Sequence, residues 1–270
     1  MVGTPRICLA THFNERYSRI GNLCLSSLKR YGAQYGYDVV TILEICSGRP
    51  LSWDKIPVIL ALFARGYDFV MWVDADAAIL RCDEDIAAII QPDKDLYIHS
   101  FHFPQGGEGF NCGVFLIRNN EWSKNMLARL WEMREYVFHP WWENAALFDI
   151  LKTAGVLPPH PSWVPPLMPR AYEKYPSEDI AHIGELPQKW NYCELLDTGR
   201  ESEPILRHYA ALPLWIREYR MVRDCARSGI ISTKRRRELY WAIFADYYKN
   251  KKQRAMDYIS HLKKIPSMLS

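Results

Sequence analysis

A chain of 270 residues with 49% hydrophobic and 13% aromatic residues can fill a real core, which excludes disorder as the default and allows one large domain or two small ones. No run approaches the about 18 apolar residues that a membrane span needs, and the start MVGTPRICLATHF lacks the charged head and apolar centre of a signal peptide, so a soluble cytoplasmic protein is expected. The net charge of +3 hides an asymmetry: 14 Lys/Arg stand against 5 Asp/Glu from Trp215 onward, but 20 against 26 before it.

PRICLATHF reads as a first strand opening into the polar cluster Thr11, His12 and Asn14. Apolar residues at Ile20, Leu23, Cys24, Leu28 and Tyr31 recur at helical spacing over Ser18 to Tyr35, with Gly36 just past the end. YDVVTILEI is a second strand. Ser52 or Asp54 is placed to cap a helix from near Trp53 to about Arg65, with Pro57 in its first turn and Gly66 as its stop. DFVMWVDADAAIL makes a third strand, and Asp83 is the expected cap of a short helix through Ile86 to Ile90. DLYIHSFHF and GFNCGVFLIRN follow as strands, separated by a Gly-rich loop from Pro104 to Gly109; SKNMLARLWEMREYV is an amphipathic helix capped by Ser123. WWENAALFDILKTAG is a helix ended by Gly155, and six prolines between Pro158 and Pro169 exclude regular structure there. EPILRHYAAL gives a late short strand, and basic helices run to the end.

Strands that alternate with helices and are apolar on both faces predict an α/β fold: a Rossmann-like mixed, mostly parallel sheet flanked by helices, with ligand sites at the carboxyl ends of the strands. Two parts are expected, a catalytic domain over residues 1–214 and a basic helical extension over 215–270. That extension, with Lys234-Arg235-Arg236-Arg237 and Lys249-Asn250-Lys251-Lys252, suits a solvated helical face, an anionic membrane surface or nucleic acid. Seven cysteines, an odd number with no close pair, argue against a disulfide framework or a zinc site.

The third strand carries the central question, because Asp74 and Asp76 stand at the end of a buried run and a buried ionised carboxylate needs a partner. Residues i and i+2 of a strand point the same way, so both carboxylates are expected to face one ligand while Ala75 faces the core. Two hard anionic oxygens suit Mn²⁺ or Mg²⁺ beside a diphosphate. Haloacid-dehalogenase-type phosphatases also place D-x-D after an apolar strand, but after the first strand and with a Thr or Val at the position of Ala78. Nucleotide-sugar glycosyltransferases place it after the nucleotide-binding units, as here.

WDKIPVILALFARGYDFVMWVDADAAIL, GFNCGVFLIRNNEWSKNMLARLW, WWENAALFDIL, LPQKWNYC and RHYAAL together resemble, in order, the retaining glycosyltransferase family of fungal α-1,2-galactosyl/mannosyltransferases and plant xyloglucan xylosyltransferases. The resemblance spans about Arg6 to Leu212. It implies a GT-A fold, a divalent metal, a nucleoside-diphosphate sugar as donor, UDP-linked before GDP-linked, and retention at the anomeric carbon. The chain has Glu143-Asn144 where many members have Asp-Gln, Cys112 where Ser or Thr is common, and no counterpart of the N-terminal anchor of eukaryotic members.

Set beside that family, Asp76 is the first choice for a metal ligand, Asp74 ligates too or holds ribose or a metal-bound water, and His208 completes the set. A lone histidine in an apolar run is otherwise a core residue. Lys55 is expected near the donor diphosphate or base, and Thr11 and Asn14 at the nucleobase and ribose; capping of the loop explains the last two equally well. Asn111 and Gly113 are expected at sugar hydroxyls, with a strand bulge as the plainer explanation. Glu143 is the candidate carboxylate beside the anomeric carbon and Asn144 a sugar contact; a first-turn acid favoured by the helix dipole is the plainer account of Glu143. Trp141, Trp142, Trp163 and Trp190 are candidates for an acceptor platform. The expected acceptor is a glycan or a glycolipid; a catalytically inactive sugar-nucleotide or glycan binder, or an enzyme acting on modified nucleic acid, is the alternative.

Overall fold

β1 (Ile7–His12) begins a computed structural model that describes residues 4–42, 47–102, 108–151, 178–194 and 203–249. α1 (Ser18–Tyr35) follows and stops at Gly36, whose left-handed φ of 75° lets Tyr37 N–H donate to Gly32 O. Next come β2 (Asp38–Ile42), α2 (Lys55–Ala64), β3 (Phe69–Val73) and a short β4 (Ala77–Ile79). β5 (Leu96–His102), β6 (Glu108–Arg118), α3 (Glu121–Glu132) and α4 (Trp142–Leu151) make the middle of the chain. β7 (Ile183–Glu185), β8 (Leu206–His208), α5 (Leu214–Arg227) and α6 (Thr233–Lys249) complete it.

Six strands form one sheet in the order β2-β1-β3-β6-β5-β7, and β6 alone runs against the others. The α/β fold with a mixed, mostly parallel sheet is therefore as expected. Alternation along the strands divides the core. Cys8, Ala10, Val70, Trp72, Phe115 and Ile117 face the α2–α3–α4 layer. Their neighbours Ile7, Leu9, Met71, Val73, Val114 and Leu116 face α1 and the C-terminal helices. The six cysteines among the described residues are free thiols, and five are buried.

α5 is not remote from this body. Arg19 of α1 donates to Glu218 of α5 and to Asp246 of α6, each at 2.7 Å, and Tyr219 stacks on Tyr240 to join α5 to α6.

Local details differ from the sequence expectations. The third strand ends at Val73, and the aspartates lie in a turn before β4, which pairs not with the main sheet but antiparallel with β8. Ala75 is half-buried at that turn and does not face the core. Asp54 precedes α2 without capping it, because its carboxylate is engaged by Ser47 Oγ and faces His12. Asp85, not Asp83, caps the 86–89 turn by accepting from Ala87 N–H; Asp83 pairs with Arg81. Asn120, not Ser123, caps α3, taking Ser123 N–H at 2.9 Å. Residues 43–45 of the second strand, most of the Pro104–Gly109 loop, Gly155, the Pro158–Pro169 run, Trp163 and the chain after 249 lie outside the described residues.

Candidate active site

The site sits where β1 and β3 end and β6 enters. Between the Ile98–Phe115 and Ser100–Phe110 pairs, His99 alone stands opposite the four residues Asn111 to Val114, so β6 bulges away from β5. The bulge exchanges ladder hydrogen bonds for bonds to site residues. Gly113 O accepts from Asp74 N–H at 2.7 Å, Cys112 O from Lys55 Nζ at 2.8 Å, and Asn144 Oδ1 takes Cys112 N–H at 2.9 Å. Asn111 Oδ1 holds Gly113 N–H at 2.8 Å, and Asn191 Nδ2 donates to Asn111 O. The bulge and the proximity to the aspartates thus occur together at Asn111 and Gly113.

Asp74 and Asp76 approach one point because of the turn, with Ala77 N–H donating to Asp74 O at 2.9 Å. Asp74, its side chain 31% exposed, accepts from Trp72 Nε1 at 2.6 Å and lies 3.3 Å from Lys55 Nζ. Asp76 is buried; its Oδ2 receives Arg217 Nη1 at 2.7 Å and its Oδ1 is 3.3 Å from His208 Nε2. Burial opposes the charge on Asp76, but Arg217 and His208 overcome it and hold the carboxyl well below its usual value.

His208 is oriented by its surroundings. Asn191 donates its Nδ2 to main-chain carbonyls, which turns Oδ1 to His208 Nδ1 at 3.1 Å, and an amide oxygen there calls for N–H on Nδ1. Nε2 faces Asp76 Oδ1 at 3.3 Å, a gap that a ring proton or a bound cation bridges. Gly113 leaves the room, since a Cβ on it would lie 2.0 Å from His208 Cε1. Ligand atoms of Asp74, Asp76 and His208 all lie within 4.8 Å of one another. Two carboxylates and an imidazole are a donor set that can hold a divalent cation.

Lys55 connects the two halves of the site: Nζ is buried and donates to Glu143 Oε1 at 2.7 Å while facing Asp74. Burial disfavours its charge, and Asp74 and Glu143 more than reverse that, so the ammonium is held protonated above its usual range. Burial raises the Glu143 carboxyl, with Lys55 opposing.

The other expected residues lie as follows. Thr11 is wholly buried, with its hydroxyl beside Cys24 Sγ, and Asn14 is exposed and takes Tyr17 N–H on its main-chain oxygen. Cys24 Sγ, which touches the Thr11 hydroxyl at 3.7 Å, also lies 3.6 Å from Asp74 O and so joins Thr11 to the aspartates' turn. Trp190 packs in the core against Tyr31, Trp141 packs on Phe148, and Trp142 is 45% exposed at the start of α4. Sequence reasoning gave no role to Arg217 or Asn191. Arg217 looks like one more cation of a basic helix, and Asn191, although within LPQKWNYC, carries no local signal of its task.

This sheet order, with an acidic turn at its rim, defines the GT-A class of glycosyltransferase folds, and comparison with solved structures agrees. A crystal structure of a glycosyltransferase involved in glycosylation of the major capsid of PBCV-1 superposes with a TM-score of 0.57 over 80% of this chain and 99% of that one, at 14% identity. Residues 46–165 match the family described as Nucleotide-diphospho-sugar transferase, a segment that includes both aspartates and Glu143. A probable α-1,6-mannosyltransferase of Saccharomyces cerevisiae, MNN10, is 24% identical over 54% of this chain and 50% of its own length. A probable glycosyltransferase 6 of Oryza sativa is 36% identical over 28% of this chain and 17% of its own. The chain thus spans half the length of the yeast relative it matches, and less of the rice one.

Proposed function

We propose that the chain transfers a hexosyl or pentosyl unit from a nucleoside-diphosphate sugar to a hydroxyl of a glycan or glycolipid acceptor, with retention at the anomeric carbon. The observation that carries this reading is the convergence of Asp74, Asp76 and His208 beside the Lys55–Glu143 pair. Asp74, Asp76 and His208 would hold Mn²⁺ or Mg²⁺, which when bound neutralises charge on the departing diphosphate. Lys55, whose buried ammonium faces Asp74, would add a fixed, already desolvated positive charge on that side of the site, so little reorganisation would be required as negative charge develops. Glu143, held through Oε1 by Lys55, is the carboxylate at hand to stabilise positive charge on the anomeric carbon or to attack it. Asn144 fixes α4 to the β6 bulge and so positions Glu143. UDP-sugars are the first donors to test and GDP-sugars the second; mannosyl donors belong in the panel because the yeast relative is named for mannosyl transfer.

Release of nucleoside diphosphate from such a panel, with and without Mn²⁺, tests the reading. Turnover that requires the cation and is lost in Asp76→Ala supports it. Cation-independent turnover by that variant overturns the metal assignment, and binding of donors without release makes the chain a sugar-nucleotide-binding protein instead.

A further inference from the structure

α6 buries only one side. Leu239 and Ile243 enter the core, Tyr240 stacks on Tyr219, and Tyr247 lies 5.1 Å from Trp215. The opposite side carries Trp241, 77% exposed, Phe244, 47%, and Tyr248, 69%. Their spacing of three and four residues puts them on a single line, and the same line continues backward through the exposed Arg237 and Lys234. At about 1.5 Å per residue, this ridge of three aromatic rings and two cations is about 20 Å long. A soluble surface rarely carries so many large rings in one row, and their alignment with cations marks a place of contact.

Charge selects the occupant. The chain beyond 249 adds Lys251, Lys252, Arg254, Lys263 and Lys264 against Asp257 alone, so it has the same sign as the ridge. A second copy set parallel would bring Lys234 and Arg237 near their own like, and one set antiparallel would offer them aromatic rings but no anion. An anionic bilayer satisfies both features, since tryptophan, tyrosine and phenylalanine favour the interface and lysine and arginine meet acidic headgroups. Among the described residues no helix is long and apolar enough to cross a membrane. We infer that the outer face of α6 docks the protein, lying in the plane of the interface, on membranes containing anionic phospholipid. This inference does not depend on the donor or on the reaction.

The test is flotation of the full chain with vesicles of phosphatidylcholine alone or mixed with phosphatidylserine. Binding is expected only to the acidic vesicles and to decline as salt is raised. Lys234→Glu with Arg237→Glu should weaken it by more than about tenfold, as should Trp241→Ser with Phe244→Ser and Tyr248→Ser. These residues are exposed, and unchanged melting temperatures would show that the fold is intact. Absence of binding, equal binding to both vesicle types, or full binding by either variant set overturns the inference. So does tighter binding to single-stranded oligonucleotide than to acidic vesicles, or a dimer that the aromatic variant dissolves.

Discussion

Lys55 and Glu143, 88 positions apart, meet at 2.7 Å with both side chains almost completely removed from solvent. A buried pair of this kind is worth little against an apolar replacement of both partners, but loss of one leaves the other charged in a dry place. Lys55→Met is therefore expected to destabilise the fold by about 3–5 kcal/mol, and Glu143→Gln by clearly less, because an amide oxygen can still accept from Lys55. Urea denaturation of the two variants checks the order; equal costs would show that Lys55 is not held by Glu143. Both should lose sugar transfer.

Arg217 occupies Asp76 Oδ2 at 2.7 Å, so an arriving cation must share that carboxylate. Arg217→Gln is expected to bind Mn²⁺ alone more tightly and a nucleoside diphosphate with Mn²⁺ more weakly, since one positive charge near the phosphates is gone. Titration calorimetry reads both. Affinities that move in the same direction would separate Arg217 from the diphosphate.

The same pair has a pH signature. Arg217 and His208 lower the Asp76 carboxyl below its ordinary 3.8, so its ionisation adds stability that is complete above that value and is lost as pH falls through the lowered folded value. Asp76→Asn should therefore flatten the acid limb of the stability curve and leave the shape above pH 5 or so unaltered. An acid limb identical to that of the parent would contradict this.

Gly113→Ala places a methyl where the His208 ring lies, 2.0 Å from Cε1. Displacing the ring should cost about 1–3 kcal/mol and abolish tight Mn²⁺ binding, although residue 113 offers no ligand. Manganese EPR during titration distinguishes this from a purely structural loss; unchanged affinity would mean that the ring is not needed.

Trp142 holds a left-handed φ of 44° at the start of α4, next to Glu143, with its ring half in solvent. Strain in a bulky residue costs about 1–2 kcal/mol and marks a position kept for the side chain itself. Trp142→Gly should raise stability by up to about 1 kcal/mol and raise the acceptor KM, with hydrolysis of donor alone unaffected. A lowered melting temperature together with an unchanged KM would exclude the acceptor platform.

The sheet was legible because its strands bury both faces: Phe69 to Val73 is apolar throughout, Ile7 to Ala10 is apolar before the buried Thr11 and His12, and Ser18 to Tyr35 keeps one periodicity from its first residue to Gly36. The aspartates' turn was not legible. DADAAIL continues an apolar run, and what ends the strand at Val73 is Gly113 O capturing Asp74 N–H and β8 capturing β4, both decided far away in sequence. Caps are hard to read for a similar reason: Asp54 stands at the N-cap position but Ser47 engages its carboxylate, whereas Asp85 accepts Ala87 N–H while also taking the Tyr37 hydroxyl. Asp74 and Asp76 could be named from residue type and spacing and His208 from the family resemblance of RHYAAL; Arg217 could not, because nothing local separates it from Arg220 and Arg223.

β4 and β8 form a ribbon of their own, and its hydrogen bonds bring His208 to the turn that holds Asp76, 132 residues earlier in the sequence. A nascent chain that has finished its main sheet up to β6 still lacks the imidazole, so it has only two carboxylates with which to seize an ion. The third member of the proposed cation site is thus the last to be made, and a chain stopped before β8 would lack it.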